Sequence, residues 1–261
     1  MSAKVIEPYW QSSDGALDVY CADTLRALAH LRAQGRRFQC VVMDPPYASG
    51  ARTEAGKPSS GAMVRGQRWA AKPIECDQMT TTGFVWLIRE TVLELRDMIL
   101  EGGSLFSFID WRQWPNLVGA LESCNLRVNQ MIVWDKGTPG MGNGFRSQHE
   151  LIAHASQGTQ KPNDHGFGNV LRFKRDDSDN HPSPKPVDLI SALLKVATAP
   201  GDSVLDPFAG GGPTLVAGQI LGRKVTAIEG MREHCDTAIA RLGSVTPRRA
   251  AEPVGPLFSE R

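Results

Sequence analysis

Two short apolar runs in this 261-residue chain each end in an aspartate-proline turn. Val41-Val42-Met43 leads into Asp44-Pro45-Pro46-Tyr47. Val204-Leu205 leads into Asp206-Pro207-Phe208-Ala209-Gly210-Gly211-Gly212. Apolar runs this short, closed by Pro and Gly, read as strands buried on both faces, and such strands need helices on each side of their sheet. The rest of the chain offers them. Phe84–Leu100 places Val85, Ile88, Val92, Leu95 and Ile99 at helical spacing, with Gly102-Gly103 as its stop. Pro186–Ala199, Thr214–Leu221 and residues 231–242 read as further helices. Phe38–Met43, Ser104–Ile109, Met131–Trp134, Leu151–Ala155, Ser203–Leu205 and Val225–Ile228 read as strands. This alternation predicts an α/β architecture: a mixed, mainly parallel sheet with helices on both faces.

A hydrophobic fraction of 41% supports one sizeable core, and residues 1–245 read as a single domain. Three stretches break the alternation. Residues 48–83 form a long loop rich in Gly, Ser and Thr, carrying Arg52, Lys57, Arg65, Arg68 and Lys72 together with Trp69. Structureless loops of that length inside a domain are usually functional. Residues 156–180 are polar, and the tail 246–261 lacks periodicity and reads as disordered. The 29 basic and 28 acidic residues nearly cancel, so a polyanionic partner has to be met by a local basic patch. Five scattered cysteines without a CxxC pair predict reduced thiols and no metal site. The absence of a leader or a long apolar run predicts a soluble, intracellular protein.

The glycine turn after Leu205 is a strand-turn-helix. Glycines at 210 and 212 let a ligand approach the backbone, and Pro213 suits a first helical turn before Thr214. Glu229 closes the next strand, where a carboxylate can accept both hydroxyls of a ribose. The glycine spacing is not G-x-G-x-x-G and no P-loop lysine follows, which disfavours NAD and ATP. At the other turn, Pro45 and Pro46 fix their own φ and restrict Asp44, so carbonyls point outward from a stiff bend. The Asp44 carboxylate and the Pro45 carbonyl can accept the two N–H bonds of a planar amine, and Tyr47 can stack on its ring. Chemistry there rests on positioning and on stabilising a nitrogen that becomes positive.

With these two turns in this order, the chain resembles the β-class of S-adenosylmethionine-dependent DNA amino-methyltransferases, which modify adenine N6 or cytosine N4. Further segments match. Cys21-Ala22-Asp23-Thr24-Leu25 is similar to the family's G-D-x-L. Glu101-Gly102-Gly103-Ser104-Leu105 is similar to P-G-G-x-L, Trp134-Asp135-Lys136 to W-x-K, and His181-Pro182-Ser183-Pro184-Lys185-Pro186 to H-P-x-x-K-P. The likeness spans residues 14–243. One departure is Gly210-Gly211-Gly212-Pro213-Thr214 where the family has G-S-G-T-T.

The resemblance implies a Rossmann-like methyltransferase fold with circularly permuted motif order, and S-adenosylmethionine as cofactor. It implies Asp44, Pro45, Pro46 and Tyr47 as catalytic residues. Asp23, Asp44, His181, Lys185, Asp206, Phe208, Gly210, Gly212, Thr214 and Glu229 would bind the cofactor. Double-stranded DNA would be the partner, with the target base flipped out and phosphates met by Arg52, Lys57, Arg65, Arg68, Lys72, Arg172 and Lys174. The aspartate-led turn favours adenine N6. Cytosine N4, or a non-catalytic or partner-dependent DNA-binding subunit, stays as the alternative. A homodimer is compatible, membrane association is not implied, and a cytoplasmic bacterial or phage-encoded protein is expected. His149 and Glu150 read as structural.

Overall fold

The computed structural model describes residues 5–48, 79–140, 143–175 and 185–243. Nine strands and six α-helices follow one another as β1 (Trp10–Gln11), β2 (Leu17–Cys21), α1 (Thr24–Ala33), β3 (Phe38–Met43), α2 (Thr81–Leu95), β4 (Ile99–Ile109), α3 (Trp114–Ser123), β5 (Arg127–Asp135), β6 (His149–Ser156), β7 (Val170–Arg172), α4 (Val187–Ala197), β8 (Ser203–Asp206), α5 (Pro213–Leu221), β9 (Lys224–Glu229) and α6 (Arg232–Gly243). All nine strands form one sheet in the order β1-β2-β9-β8-β3-β4-β6-β5-β7. The block β2-β9-β8-β3-β4 is parallel throughout, and β6 runs antiparallel between β4 and β5. The predicted mixed, mainly parallel sheet is therefore present.

Strand alternation builds two cores. Val41 and Met43 point to one face, where Leu28 and Leu31 of α1, Phe84, Ile88 and Val92 of α2, and Leu117 and Leu121 of α3 cover them. Cys40 and Val42 point to the other, under Leu189 and Leu193 of α4, Leu215 and Val216 of α5, and Cys235 and Ala238 of α6. A side chain of this size contributes roughly 1.5–3 kcal/mol when fully buried, and both layers hold many of them. This is why short strands suffice.

Several boundaries differ from the sequence reading. The helix expected over Phe84–Leu100 ends at Leu95, and a 3-10 turn over Arg96–Met98 leads into β4. Gly102 and Gly103 lie inside that strand instead of stopping the helix. A Cβ on Gly103 would sit 2.8 Å from the Gln39 carbonyl, beside the register shift between β3 and β4. The glycine is there for close backbone approach, a demand that looks like a helix stop in sequence. The loop read as reaching Gly83 gives way to α2 at Thr80, whose hydroxyl accepts the Gly83 N–H at 3.1 Å. Helices α1 and α3 and strands β1, β2 and β7 were not anticipated. Strands β1 and β7 span only two and three residues, and α1 has little apolar excess beyond its buried stripe of Ala27, Leu28 and Leu31.

The topology positions a site. From β3 the chain crosses through α2 to β4 on one side. From β8 it crosses through α5 to β9 on the other. Neighbouring parallel strands whose connections diverge leave a crevice at their carboxyl ends, where α/β proteins bind ligands. Cys40 pairs with Val204 and Val41 with Leu205, so Asp44 and Asp206 leave the sheet side by side.

Candidate functional site

A small cleft of about 40 Å³ opens at that switch point. Val42 and Asp44 line it from β3, Asp206, Phe208 and Gly210 from the turn after β8, Thr214 from α5, and Lys185 from the segment before α4. Residues that sequence reading assigned to two separate motifs thus share one wall.

The β8 side is held by backbone N–H groups. Asp206 is buried and accepts the Phe208 N–H at 3.0 Å. Burial is the main force on its carboxyl. The nearby Thr214 hydroxyl and the Phe208 amide work against it, Asp44 and Glu229 with it, and the net result is an acid pushed up to about 7. Glu229 holds two turns at once: Oε2 accepts the Gly210 N–H at 2.9 Å and Oε1 the Met231 N–H at 2.9 Å. Gly210 and Gly212 both take positive φ, at 50° and 73°. Gly212 faces away from the cleft. A Cβ there would lie 2.6 Å from the Ala238 Cβ, so this glycine serves the packing of α6 on α5. Asp23 accepts the Arg26 N–H at 3.0 Å as the N-cap of α1, beside the Ala22–Glu229 backbone bond. Neither Asp23 nor Glu229 is among the residues lining the cleft.

The β3 side is held by charge. The Tyr47 hydroxyl donates to Asp44 Oδ1 at 2.6 Å and lies 3.2 Å from Glu150 Oε2. Lys185 Nζ lies 2.8 Å from Asp44 Oδ2 and 3.3 Å from Glu150 Oε2. Lys136 Nζ reaches Glu150 Oε1 at 2.5 Å. The Lys185 ammonium also stands 5.3 Å from the centres of the Tyr47 and Phe108 rings. Burial pushes the Tyr47 phenol well above its usual range, with Asp44 and Glu150 adding to the shift. Burial opposes the charge on Lys185, but Asp44 and Glu150 outweigh it and the shift is upward. Glu150 feels burial first as well, and its two lysines turn the net shift downward. The net shifts of Lys185 and Glu150 thus both favour the charged form. Pro45 is buried behind Asp44, and Ala48 leaves the motif at φ 54°, a strained value for a residue with a Cβ.

Glu150, read from sequence as structural, is the functional candidate that was missed, whereas its partner Lys136 belongs to the Trp134-Asp135-Lys136 segment already singled out. The local signal for Glu150 was slight: a single carboxylate at the start of a strand that turns apolar from Leu151. The turn between β5 and β6 is a second omission. β5 runs parallel to β7 and in the same sense as β4, so this hairpin overhangs the edge that carries Asp44. It is tied by Lys136 N–H to Gln148 O and Gly140 N–H to Ser147 O, and it presents a fully exposed Phe145 next to exposed Arg146. Arg172 is exposed, yet it is bonded to Asp135 at 2.8 Å. Hydrogen bonds from Gln148, the Gly137 amide and Arg172 lower Asp135 to about 2. Lys174 and Arg175 follow at the same edge, exposed, and Arg175 acts electrostatically on Lys136. Arg52, Lys57, Arg65, Arg68, Lys72 and Trp69, His181, and the tail from 246 lie outside the described residues. Among the described residues no helix is long and apolar enough to cross a membrane.

Comparison with known proteins agrees with this geometry. The family profile described as DNA methylase, of the N6/N4 type, matches residues 38–240. "Type II methyltransferase M2.MboI" of Moraxella bovis is 22% identical over 262 residues, covering 93% of each chain. The solved complex of M1.HpyAVI with SAM superposes with a TM-score of 0.65 at 21% identity, covering 87% of this chain and all of its own. The PvuII DNA methyltransferase, described as cytosine-N4-specific, gives a TM-score of 0.69 at 14% identity over 90% of this chain and 89% of its own. At such identities the two structural matches establish the Rossmann-like methyltransferase fold.

Proposed function

The chain belongs to the N6/N4 family of DNA methylases, and from that premise we propose that it methylates the exocyclic N6 amine of an adenine flipped out of duplex DNA. It is a DNA amino-methyltransferase, and its methyl donor is S-adenosylmethionine. The observation that carries the reading is the junction of the two motifs: Asp44 and Asp206 emerge from adjacent parallel strands into one cleft. An aspartate-led Asp44-Pro45-Pro46-Tyr47 turn supports adenine over cytosine by its likeness to the adenine branch.

The residues present suit the cofactor. The Thr214 hydroxyl is buried at the cleft wall and makes no well-formed hydrogen bond among the described residues, although it lies near the Asp206 carboxyl. It thus has capacity for a ligand. The positive-φ turn from Gly210 to Gly212 keeps side chains out of the space above β8. Phe208 offers an aromatic wall, and Glu229 and Asp23 stand at the next two strand ends, where ribose and adenine would fall. When bound, the cofactor supplies an electrophilic methyl group on sulfonium.

This chain's part in the reaction is to hold the amine. Asp44 and the Pro45 carbonyl accept its two N–H bonds, which turns the nitrogen lone pair toward the methyl group. Tyr47 supports the flipped base. As the nitrogen becomes positive, the Asp44 carboxylate stabilises it and takes up the proton that leaves. Extrusion of the base is assisted at the outer edge, where Phe145, Arg146, Lys174 and Arg175 face the duplex.

The test is methylation of unmodified DNA by purified protein with labelled S-adenosylmethionine, followed by nucleoside analysis, with Asp44→Ala as control. N6-methyladenine that disappears in the variant is the expected result. N4-methylcytosine would replace the acceptor and keep the chemistry. Cofactor binding without any methylation would favour a partner-dependent or non-catalytic protein.

A further inference from the structure

Asp44 has two donors, and each of them also reaches Glu150. The Tyr47 hydroxyl is 2.6 Å from Asp44 and 3.2 Å from Glu150. The Lys185 ammonium is 2.8 Å from Asp44 and 3.3 Å from Glu150. Both arms converge on the same Glu150 oxygen, Oε2, while Lys136 holds the other, Oε1. Both oxygens of Asp44 therefore carry an internal donor before a substrate amine arrives, and a third donor competes with them for the remaining lone pairs. The ordinary reading of such a cluster is a static ion network that only holds β3, β6 and the segment before α4 together. The geometry is more particular than that requires. The second acceptor is duplicated for the two groups that encumber Asp44, and it is anchored from behind.

We propose that Glu150 is a positioning residue that receives Lys185 and Tyr47 when Asp44 turns its oxygens to the target amine. This rests on the methylation reading given above. The exchange requires Lys185 to move by about the difference of its two arms, 3.3 − 2.8 = 0.5 Å, and Tyr47 by 3.2 − 2.6 = 0.6 Å. Each donor passes from one carboxylate to another, so neither is left unpaired in a buried setting at any point. The side chains of Lys185, Lys136 and Glu150 are 6%, 9% and 14% exposed, so water offers little substitute. Burial alone would raise the Glu150 carboxyl, but Lys185 and Lys136 bring it down, so an ionised acceptor is waiting. Lys136 keeps that acceptor in place: it bonds the oxygen that the exchange does not use.

The experiment compares Glu150→Gln and Glu150→Asp with the wild type in steady-state methylation, cofactor titration and thermal unfolding. With Glu150→Gln the charge is gone, Lys185 has a single anion left, and Asp44 stays encumbered. The expected result is a kcat lowered by about 10²-fold, the size of effect that follows a small misplacement of a reacting group, with KM for DNA and cofactor Kd near wild type. Glu150→Asp keeps the charge and is expected to recover most of the kcat. An independent readout is a crystal structure with cofactor analogue and DNA bound, where Lys185 should lie closer to Glu150 than to Asp44. Unchanged kcat in Glu150→Gln overturns the proposal, as does a bound complex with Lys185 still on Asp44. Equal losses of kcat, cofactor affinity and melting temperature in both variants also overturn it, since that is the signature of a merely structural role. Wild-type protein that methylates no DNA sinks the underlying reading together with this one, and is told apart because no variant is needed to see it.

Discussion

The two halves of the cleft solve opposite electrostatic problems. On the β3 side two carboxylates, Asp44 and Glu150, are matched by two ammonium groups, Lys185 and Lys136. On the β8 side two carboxylates, Asp206 and Glu229, are met mainly by backbone amides of the glycine turn and its neighbours. The consequence is visible in their ionisation. Glu150 is held low by cations, whereas Asp206 is pushed up to about 7. A region matched by side-chain ammonium groups can redistribute its bonds. A region matched by backbone amides cannot, and its job is to keep a shape.

The sharpest way to test this division is Asp44→Ala. It should lower methylation by about 10³-fold or more, since it removes the group that both orients the amine and stabilises the charge on it. Cofactor affinity by calorimetry should fall much less. A parallel loss of cofactor binding would show that the two halves are not separable. On the shape-keeping side, Gly212→Ala should destabilise the fold by about 3 kcal/mol, combining a left-handed backbone with a 2.6 Å approach to Ala238. Urea unfolding measures it, and a cost under about 1 kcal/mol would mean that α6 yields easily.

Asp206 gives a pH signature that the charged side should lack. Its folded pKa lies above the ordinary value of 3.8, so the fold favours the neutral acid. That contribution is complete below the unfolded value and is lost as pH rises through about 7. Wild-type stability relative to Asp206→Asn should therefore drop by on the order of 2 kcal/mol between about pH 5 and pH 8. A flat difference would mean that Asp206 is ionised throughout. The smallest effect concerns the outer edge. Phe145→Ala should raise KM for DNA by about tenfold or less, judged from the stacking contribution of a single aromatic, and leave cofactor Kd unchanged. Weaker signal from 2-aminopurine placed at the target position would assign the loss to base extrusion.

The β8 side was the more legible in sequence, and the contrast explains why. Its contacts are local: Asp206 bonds Phe208 two residues on, and the glycines announce a turn whatever surrounds them. What sequence could not show there was the division of labour among the glycines, because the neighbour of Gly212 is Ala238 in a later helix. On the β3 side the Asp44-Pro45-Pro46-Tyr47 turn stood out, but its support did not. Tyr47 meets Glu150 across 103 residues, and only the pairing of β6 beside β4 makes them neighbours. A glutamate at the head of an apolar strand looks the same whether it faces solvent or a buried lysine. Gly102-Gly103 misled for a related reason: the same residue type ends helices and admits a passing backbone.

The strand order has a bearing on how the molecule comes into being. β2 and β3 are consecutive strands, yet β9 and β8 lie between them, and those two come latest in chain order among the described strands of the sheet. Until residues 203–229 leave the ribosome, β2 and β3 each offer an open parallel edge. The site can close only by insertion of the C-terminal pair into the gap. Such late, long-range pairing is slow and leaves sticky edges exposed meanwhile. A chain cut short after α4 would then be a nascent-like intermediate held indefinitely, and aggregation at those edges is its expected fate.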